Sequence, residues 1–410
     1  MISKVCFVYI QLPNSHELTT VGKLSWTQSG QNTEVGTFVY GSKYLKRGDS
    51  VPLDPFNMPL EEREFIVTTN EGVHGPIRDA SPDKWGRYII QSNTPDTEWD
   101  SIGYLLNSAE DRVGALSFGV GKVPPAPVRK FNKTVDLQTL IEASHKLELQ
   151  LPINEAESAL LMAGAGTGGA RPKSTIEDGN NLWLAKFPSQ GDKRNYSKVE
   201  YGTMNLAKAC GLNVPELRIV SVGSQDVFLI KRFDRIWDQE KGSYYKHHFV
   251  SGLTLLNLDE GDRTKWSYLD LADNMRRWIE KPQSDLKELF KRIVFNGFIS
   301  NGDDHPRNHG FLWLGKTFRL SPVYDLVPEP KAGTTRYLAM TFGDNGREFT
   351  KDNLLSKCDA FDLSLDDAKE IYTGIKAQTA KWQKYFSEAG LEQEDMNYIR
   401  PIFESNEVNY

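Results

Sequence analysis

The sequence predicts an α+β protein whose N-terminal part is rich in β-strands and whose C-terminal part is mostly helical. In about the first 120 residues, short apolar runs such as 38–40 and 65–67 alternate with turn-forming residues, as in strands joined by turns. Residues 286–297 instead carry apolar side chains at a spacing of about 3.6, which indicates a buried helix. The proline-rich segment 122–128 fits neither pattern and is the best candidate for a linker.

A chain of 410 residues is longer than one compact core usually serves, so two or three packed units are expected. The linker and the acidic stretch 259–262 place the boundaries between them. We therefore predict a β-rich unit over 1–121, a unit with a glycine-rich loop and strands over 131–258, and a helical unit over 259–410.

Composition argues against several classes of protein. With 39% hydrophobic and 25% charged residues and no apolar run approaching about 18 residues, the chain is predicted to be soluble, cytoplasmic and not bound to a membrane. A net charge of −6 argues against direct binding of a phosphate backbone, so a role on DNA would need a partner. Three widely spaced cysteines fit neither a disulfide framework nor a zinc site with paired ligands.

Two aspartates and an asparagine after the predicted buried helix point to phosphoryl transfer. Asp303 and Asn308 have the Asp-x-x-x-x-Asn spacing of a kinase catalytic loop, and Asp325 follows the next predicted hairpin, 311–320. The reaction needs a residue that orients the attacking hydroxyl, here Asp303. It also needs oxygen ligands for Mg²⁺, here Asn308 and Asp325.

A plainer interpretation is that 301–306 is an ordinary turn, because each of its residue types favours turns. Asp325 alone would equally be a helix cap or a solvated side chain. The helix before the loop and the hairpin after it favour the catalytic interpretation, since structural context supports a motif. His305 is expected to orient the loop rather than to act as a base.

The glycines of 164–169 match Gly-x-Gly-x-x-Gly, but no strand clearly precedes them, as a dinucleotide site requires. A Walker A loop is excluded because Pro172 precedes Lys173 where that motif has glycine. What remains is a loop whose backbone N–H groups approach phosphates closely. Arg171, Lys173 and Ser174 would add donors, although the same residues also fit a solvated surface loop.

Lys186 lies near the end of a predicted strand, 181–187, on the same face as two leucines, so its side chain is expected to point inward. An inward lysine needs an anion, which ATP phosphates and Glu200 in the following helix would supply as the kinase ion pair. Two alternatives stay open. Lys186 would reach solvent from the strand end, or Glu200 would form a capping box with Ser197.

Together these residues resemble the HipA family of bacterial toxin kinases from type II toxin–antitoxin modules. The resemblance spans nearly the whole chain, and so many motifs in the same order are specific. The matching segments are 78–87, 111–116, 168–173, 184–187, 231–235, 251–256, 301–308 and 321–325.

The resemblance implies a two-lobed protein-kinase-like fold that transfers the γ-phosphate of ATP to a serine or threonine of a protein. By this resemblance, 131–258 belongs to the N-lobe and 259–410 to the helical C-lobe. Asp303 would accept the proton of the substrate hydroxyl, and residues 231–233 would line the adenine pocket. The residues implied in nucleotide binding are Ala170, Arg171, Pro172, Lys173, Ser174, Thr175, Lys186, Glu200, Lys231, Arg232, Phe233, His305, Arg307, Asn308, Tyr324 and Asp325.

The resemblance also implies partners. Members of the family pair with a helix-turn-helix antitoxin of the HipB type and repress their own operon through it, and substrates described in the family include translation proteins. Their glycine-rich loop is often autophosphorylated on a serine, which ejects it from the ATP site. In this chain the nearest hydroxyl is Thr167, with Gly168 where another serine occurs.

Two further functions fit the sequence. One is a kinase of small molecules or lipids, because the Asp-x-x-x-x-Asn loop does not specify the acceptor. Such an enzyme would not need the unit over 1–121. The other is a non-catalytic corepressor that binds the antitoxin, and its DNA complex would tolerate the loss of both Asp303 and Asp325.

Overall fold

The computed structural model describes residues 2–29, 33–126, 131–166, 169–330 and 335–409. These residues form the predicted α+β fold. It consists of an antiparallel N-terminal sheet, a second five-stranded sheet with its connecting helices, and a mostly helical C-terminal part. Within the described ranges, no helix is both long and apolar enough to cross a membrane.

The N-terminal sheet is antiparallel throughout. Its strands are β1 (Ile2–Gln11), β2 (Leu18–Ser29), β3 (Thr33–Tyr40), β4 (Glu64–Val67) and β5 (Leu116–Gly119). They pair in the order β4-β3-β2-β1-β5. Four short helices lie along this part of the chain: α1 (Ser42–Leu45), α2 (Gly75–Asp79), α3 (Lys84–Asn93) and α4 (Ser101–Asn107). Strand residues that point to one face, such as Val8, Ile10 and Leu24, fill the core, which is why this region alternates between apolar and polar positions.

The second sheet carries the strand predicted at 181–187. Its strands are β6 (Asn132–Lys133), β7 (Lys173–Asp178), β8 (Asn181–Lys186), β9 (Leu217–Val222) and β10 (Gln225–Lys231), in the order β6-β7-β8-β10-β9. The helices of this region are α5 (Leu137–Glu148), α6 (Glu155–Ala163) and α7 (Tyr196–Ala209). Strand β8 is central, and Trp183 and Ala185 are fully buried, so the end of β8 is a fixed platform for Lys186.

The rest of the chain forms two small sheets and seven of the fourteen α-helices in the described ranges. The strands are β11 (Arg235–Asp238), β12 (Ser243–Lys246), β13 (Phe249–Ser251), β14 (Gly310–Trp313) and β15 (Phe318–Leu320). The helices are α8 (Gly252–Leu255), α9 (Tyr268–Trp278), α10 (Gln283–Phe298), α11 (Lys351–Leu355), α12 (Leu365–Thr379), α13 (Trp382–Glu388) and α14 (Gln393–Asn409). Helix α10 and the β14–β15 hairpin confirm the predicted order of buried helix, polar loop and hairpin.

The segment 364–390 has a capping serine at its start, apolar residues at helical spacing and a glycine at its end, a pattern that predicts one helix, but the structure has two, α12 and α13. Ser364 caps the first of them, since its hydroxyl accepts a hydrogen bond from Asp367 N at 3.1 Å. The chain leaves helical geometry at Lys381, with φ −92° and ψ 17°. Just after this break Trp382 stacks on Phe403 of α14, with ring centroids 4.9 Å apart.

A buried cluster of charged residues joins the N-terminal part to the second sheet. Arg232 donates to Asp111 Oδ1 at 2.7 Å and to Asp234 Oδ2 at 2.8 Å, and Arg235 donates to Asp234 Oδ2 at 2.8 Å. Each of these side chains is at most 6% exposed. The two arginines and two aspartates balance in charge. They bring together two of the motif segments noted in the sequence, 111–116 and 231–235.

Two further contacts join the N-terminal part to the rest of the chain. Asp79 on α2 accepts hydrogen bonds from the N–H of Ser251 at 2.7 Å, from its hydroxyl at 2.8 Å and from the Thr254 hydroxyl at 2.7 Å. Helix α3 places Trp85 and Ile89 in the hydrophobic core beneath the second sheet. The N-terminal part is therefore bonded to the rest of the protein by buried polar and apolar contacts together.

Replacing Arg232 with methionine is expected to lower the free energy of unfolding by about 3–5 kcal/mol, because two buried aspartates would keep one arginine between them. The control is Arg47→Met, which removes an arginine that is 42% exposed and paired with Asp49. It is expected to cost less than about 1 kcal/mol. Urea unfolding followed by circular dichroism measures both, and equal small losses would contradict a structural role for the buried cluster.

Candidate active site

Lys186 brings together three segments that are far apart in the sequence. From the end of β8 its Nζ donates to Glu200 Oε1 on α7 at 2.6 Å and to Asp325 Oδ1 at 2.8 Å. The side chains of Lys186 and Glu200 are 14% and 9% exposed, whereas that of Asp325 is 53% exposed. One carboxylate is thus fixed inside the protein while the other is open to a ligand.

These three charges shift one another's pKa. The Lys186 ammonium holds the pKa of Asp325 well below its usual range. Burial disfavours the charged form of Lys186, but the two carboxylates outweigh burial and raise its pKa. The pKa of Glu200 is raised by burial, although Lys186 opposes this. Lys186 and Asp325 therefore remain ionised near neutral pH.

Glu200 is available for the ion pair because another residue caps α7. The N-cap is Asn195, whose side chain accepts a hydrogen bond from Lys198 N at 3.0 Å. Ser197 is buried as the second residue of the helix. The alternative of a capping box between Ser197 and Glu200 is therefore wrong, since α7 begins two residues earlier than that spacing requires.

Asp325 lies at an unusual point of the backbone. Its φ is 61°, in the left-handed region that few residues other than glycine adopt and that often marks functional sites. The hydroxyl of the neighbouring Tyr324 donates to the carbonyl of Arg307 at 2.7 Å, and its ring lies 5.8 Å from that of Phe233. These contacts tie the Asp325 turn to the loop that follows α10.

That loop exposes Asp303 and buries Asp304. Asp304 is 1% exposed and accepts a hydrogen bond from Asn296 at 2.6 Å. The carboxylate of Asp303 is exposed and has no hydrogen bond or ion pair with any residue in the described ranges. Its backbone is nonetheless held, because Asn308 Nδ2 donates to Asp303 O at 3.2 Å and Asp303 N donates to Asn301 Oδ1 at 3.3 Å. Asp303 is therefore both accessible and fixed.

Lys173 places a second ammonium beside Lys186. The two residues are cross-strand neighbours on β7 and β8. Gly169 has a φ of 103°, which residues with a side chain rarely adopt, and a Cβ added there would lie 2.0 Å from Lys173 Nζ and displace the ammonium. Burial and the charge of Lys186 lower the pKa of Lys173 to about 8. An anion between the two lysines would relieve their repulsion.

Residues next to this loop form the rim of the site. Ala170 and Arg171 are exposed, and Arg171 forms an ion pair with Asp192. Pro172 is buried. Thr167, the predicted autophosphorylation residue, lies outside the described residues.

Three residues predicted to bind the nucleotide form buried hydrogen bonds within the protein, and their contact with a nucleotide stays a prediction. Ser174 Oγ accepts from Asn132 at 2.9 Å, and Thr175 Oγ1 accepts from Arg232 Nη1 at 3.0 Å. Arg232 is also the centre of the buried charge cluster.

The remaining predicted residues lie at the edges of the site. Lys231 pairs with Glu216 at 3.3 Å, and Arg307 pairs with Glu260 at 2.6 Å. His305 is half-buried, and its N–H donates to the Asp303 carbonyl at 2.8 Å. Because this bond is made by the backbone, the role of the His305 side chain in orienting the loop stays a prediction.

Asp83 was not predicted to lie near the site. As N-cap of α3 it accepts the Lys84 N–H at 2.9 Å, and its other oxygen accepts the Gly169 N–H at 2.9 Å. That oxygen also lies 3.5 Å from Arg307 Nη2. The sequence marks 78–87 only as a motif of the family, and an aspartate before a helix predicts a cap but not a distant partner.

The oxygen donors predicted for Mg²⁺ fit such an ion. Asn308 uses its Nδ2 for the Asp303 carbonyl, and its amide oxygen has no partner in the described part of the chain. Asp325 bonds Lys186 through Oδ1, which leaves Oδ2 available. Mg²⁺ typically takes one or two carboxylates and completes its shell with water and phosphate. The described residues contain no cluster of three His, Cys, Asp or Glu side chains that would form a metal cage.

The whole fold is similar to a solved structure from Shewanella oneidensis, described as a toxin–antitoxin complex of HipA, HipB and operator DNA. The TM-score is 0.69 at 18% sequence identity, over 97% of this chain and 95% of the other. At this level of identity the likeness establishes the fold.

Curated relatives match over shorter segments. The Sinorhizobium fredii protein Y4dM, provisionally named a kinase, is 26% identical over 241 residues, which are 53% of each chain. The serine/threonine-protein kinase toxin HipA of Shewanella oneidensis is 24% identical over 142 residues, which are 31% of this chain and 33% of the relative. The chain thus matches about half or less of the length of these relatives.

Two family descriptions cover most of the chain between them. Residues 16–119 match the HipA N-terminal domain, and residues 165–383 match the HipA-like C-terminal domain. The second match alone spans more than half of the 410 residues. The chain therefore belongs to the HipA family.

Proposed function

We propose that this chain is a HipA-type serine/threonine protein kinase that transfers the γ-phosphate of ATP to a cellular protein and thereby acts as a toxin. The observation that carries the proposal is the Lys186 ammonium, which bonds buried Glu200 in the ion pair that active protein kinases require and also bonds exposed Asp325. The adjoining loop presents the Asp303 carboxylate, which has no hydrogen bond or ion pair with the described residues. Asp303 would orient the substrate hydroxyl and accept its proton.

The ATP phosphates would lie between the glycine-rich loop and the paired strands β7 and β8. Lys173 and Lys186 would supply positive charge there, together with backbone N–H groups of the loop. When bound, Mg²⁺ would neutralise charge on the phosphate oxygens, with Asn308 and Asp325 as its protein ligands. The adenine would lie against residues 231–233.

We propose a helix-turn-helix antitoxin of the HipB type as the partner, in the cytoplasm, with operator DNA bound through it. The Shewanella oneidensis structure of similar fold contains HipA, HipB and operator DNA. A net charge of −6 favours contact with DNA through a partner rather than by this chain alone. Thr167 remains the candidate for autophosphorylation.

Incubation of the purified protein with Mg²⁺ and γ-labelled ATP, alone and with cell extract, tests the proposed reaction. Wild type is expected to transfer label to serine or threonine. Asp303→Asn is expected to transfer it about 10²–10⁴-fold more slowly, the usual contribution of a positioned acid–base group. Asp325→Asn, which removes the charge facing Lys186 and Mg²⁺, is expected to lose transfer as well.

The matched control is Asp366→Asn, because the Asp366 side chain is 96% exposed and pairs with Lys369 on the same helix. It is expected to transfer label at the wild-type rate. Full activity of Asp303→Asn would contradict the assigned role, and label found only on small molecules or lipids would contradict a protein kinase. A wild type that neither binds ATP nor transfers label would favour the non-catalytic corepressor.

The affinity for ATP is expected to fall as the pH rises from about 7 to about 9. Lys173, with a pKa of about 8 in the free protein, loses its charge in this window, and the charged form is the one that attracts phosphate. A terminal phosphate with a pKa of about 6 is already ionised there. Titration with a fluorescent ATP analogue at several pH values measures the effect.

Lys173→Met is the control for this pH dependence. It is expected to bind the analogue more weakly near neutral pH and to show a flatter profile, because the titrating ammonium is absent. The same slope in wild type and in Lys173→Met would contradict the role given to Lys173.

A further inference from the structure

The N-terminal part of the chain forms hydrogen bonds with both the backbone N–H and the backbone carbonyl of Gly169. Asp83 Oδ2 accepts the Gly169 N–H at 2.9 Å, and Trp85 N donates to the Gly169 carbonyl at 3.3 Å. The indole Nε1 of Trp85 donates to the Lys173 carbonyl at 3.2 Å. Gly86 packs so closely that an added Cβ would lie 2.2 Å from the carbonyl oxygen of Ala165, within the glycine-rich segment 164–169. The glycine-rich loop is therefore held from outside its own sheet.

Asp83 also reaches the other side of the site. Its Oδ2 lies 3.5 Å from Nη2 of Arg307, which stands between Asp303 and Asn308 in the sequence. The Arg307 carbonyl in turn accepts the hydroxyl of Tyr324, the neighbour of Asp325. Burial disfavours the ionised form of Asp83, but Arg307 and two backbone N–H groups outweigh it and lower the pKa. One carboxylate thus bridges the glycine-rich loop and the Asp303 loop.

We propose that Asp83 is a positioning residue for phosphoryl transfer, so that the N-terminal part of the chain completes the nucleotide site. This inference rests on the proposed kinase function. Asp83 holds the two loops at a fixed separation before the nucleotide binds. A glycine-rich loop has many accessible conformations, and fixing it in advance reduces the ordering cost of binding phosphate.

The plainer role of Asp83 is to cap α3, because its Oδ1 accepts the Lys84 N–H. Loss of a cap lowers stability but leaves the kinetic constants unchanged. Asp100 offers a matched comparison in the same part of the chain. It caps α4 by accepting the Gly103 N–H at 2.8 Å, and it makes an ion pair with Lys4 instead of a bond to the glycine-rich loop. A structural role and a positioning role are therefore separable.

Steady-state phosphotransfer with varied ATP is measured for the full-length wild type, Asp83→Ala, Asp83→Asn and Asp100→Ala. Asp83→Ala is expected to raise KM for ATP and to lower kcat/KM at least about 10-fold, since small displacements of a positioned group cost about 10²-fold. Asp100→Ala is expected to keep both constants. Asp83→Asn keeps an oxygen for the Gly169 N–H but loses the charge facing Arg307, so its loss is expected to be smaller.

Hydrogen exchange of the peptide that contains Gly169 gives a second measurement that does not need activity. Exchange is expected to be faster in Asp83→Ala than in wild type and Asp100→Ala, because the Gly169 N–H loses its acceptor. Equal exchange in the two alanine variants, or an unchanged kcat/KM in Asp83→Ala beside an active wild type, would overturn the inference. A wild type without phosphotransfer would refute the proposed function, and the exchange rates alone would then decide whether Asp83 holds the loop.

Discussion

The arrangement of the site depends on one largely buried ammonium group. A buried charge that lacks a partner destabilises a protein by about 3–5 kcal/mol, so the native fold has to bring carboxylates to Lys186. Glu200 and Asp325 arrive from 14 and 139 residues away and both bond the same nitrogen. Helix α7 and the turn after β15 are thereby fixed to the end of β8. The geometry proposed for catalysis is thus also the geometry that satisfies this charge.

The need to keep buried charges paired also holds the N-terminal part against the rest of the chain. Arg232 and Asp111 lie on opposite sides of that junction, and separating them would leave two ions in a medium of low dielectric constant. Asp79 would likewise lose three hydrogen bonds, and Trp85 would leave a hydrophobic core. The segment 82–87 therefore has a fixed position from which it can hold the glycine-rich loop.

Local sequence patterns predicted helices and strands correctly where interactions between residues close in the sequence determine them. The helical spacing of α10 and the turn between β14 and β15 are examples. The sequence left a capping box at Ser197 open because serine and asparagine both cap helices, and the actual cap, Asn195, is held by Asp226 at 2.7 Å, 31 residues further on. The sequence likewise could not predict that the Arg232 side chain bonds a buried aspartate, since its partner Asp111 is 121 residues away. Contacts between residues so far apart in the sequence do not affect the local residue spacing from which helices and strands are predicted.

Two adjacent aspartates show how environment, rather than residue type, assigns a role. Asp304 is buried beside Asn296 and lies 3.1 Å from His309 Nε2, so its carboxylate is committed to the interior. Asp303 shares the same loop, but only its backbone is held, by Asn308 among others, while its carboxylate remains exposed. A residue that orients a substrate hydroxyl has to be accessible and yet fixed. The buried Asp304 supplies the rigidity, and for that reason Asp303 can be accessible without being mobile.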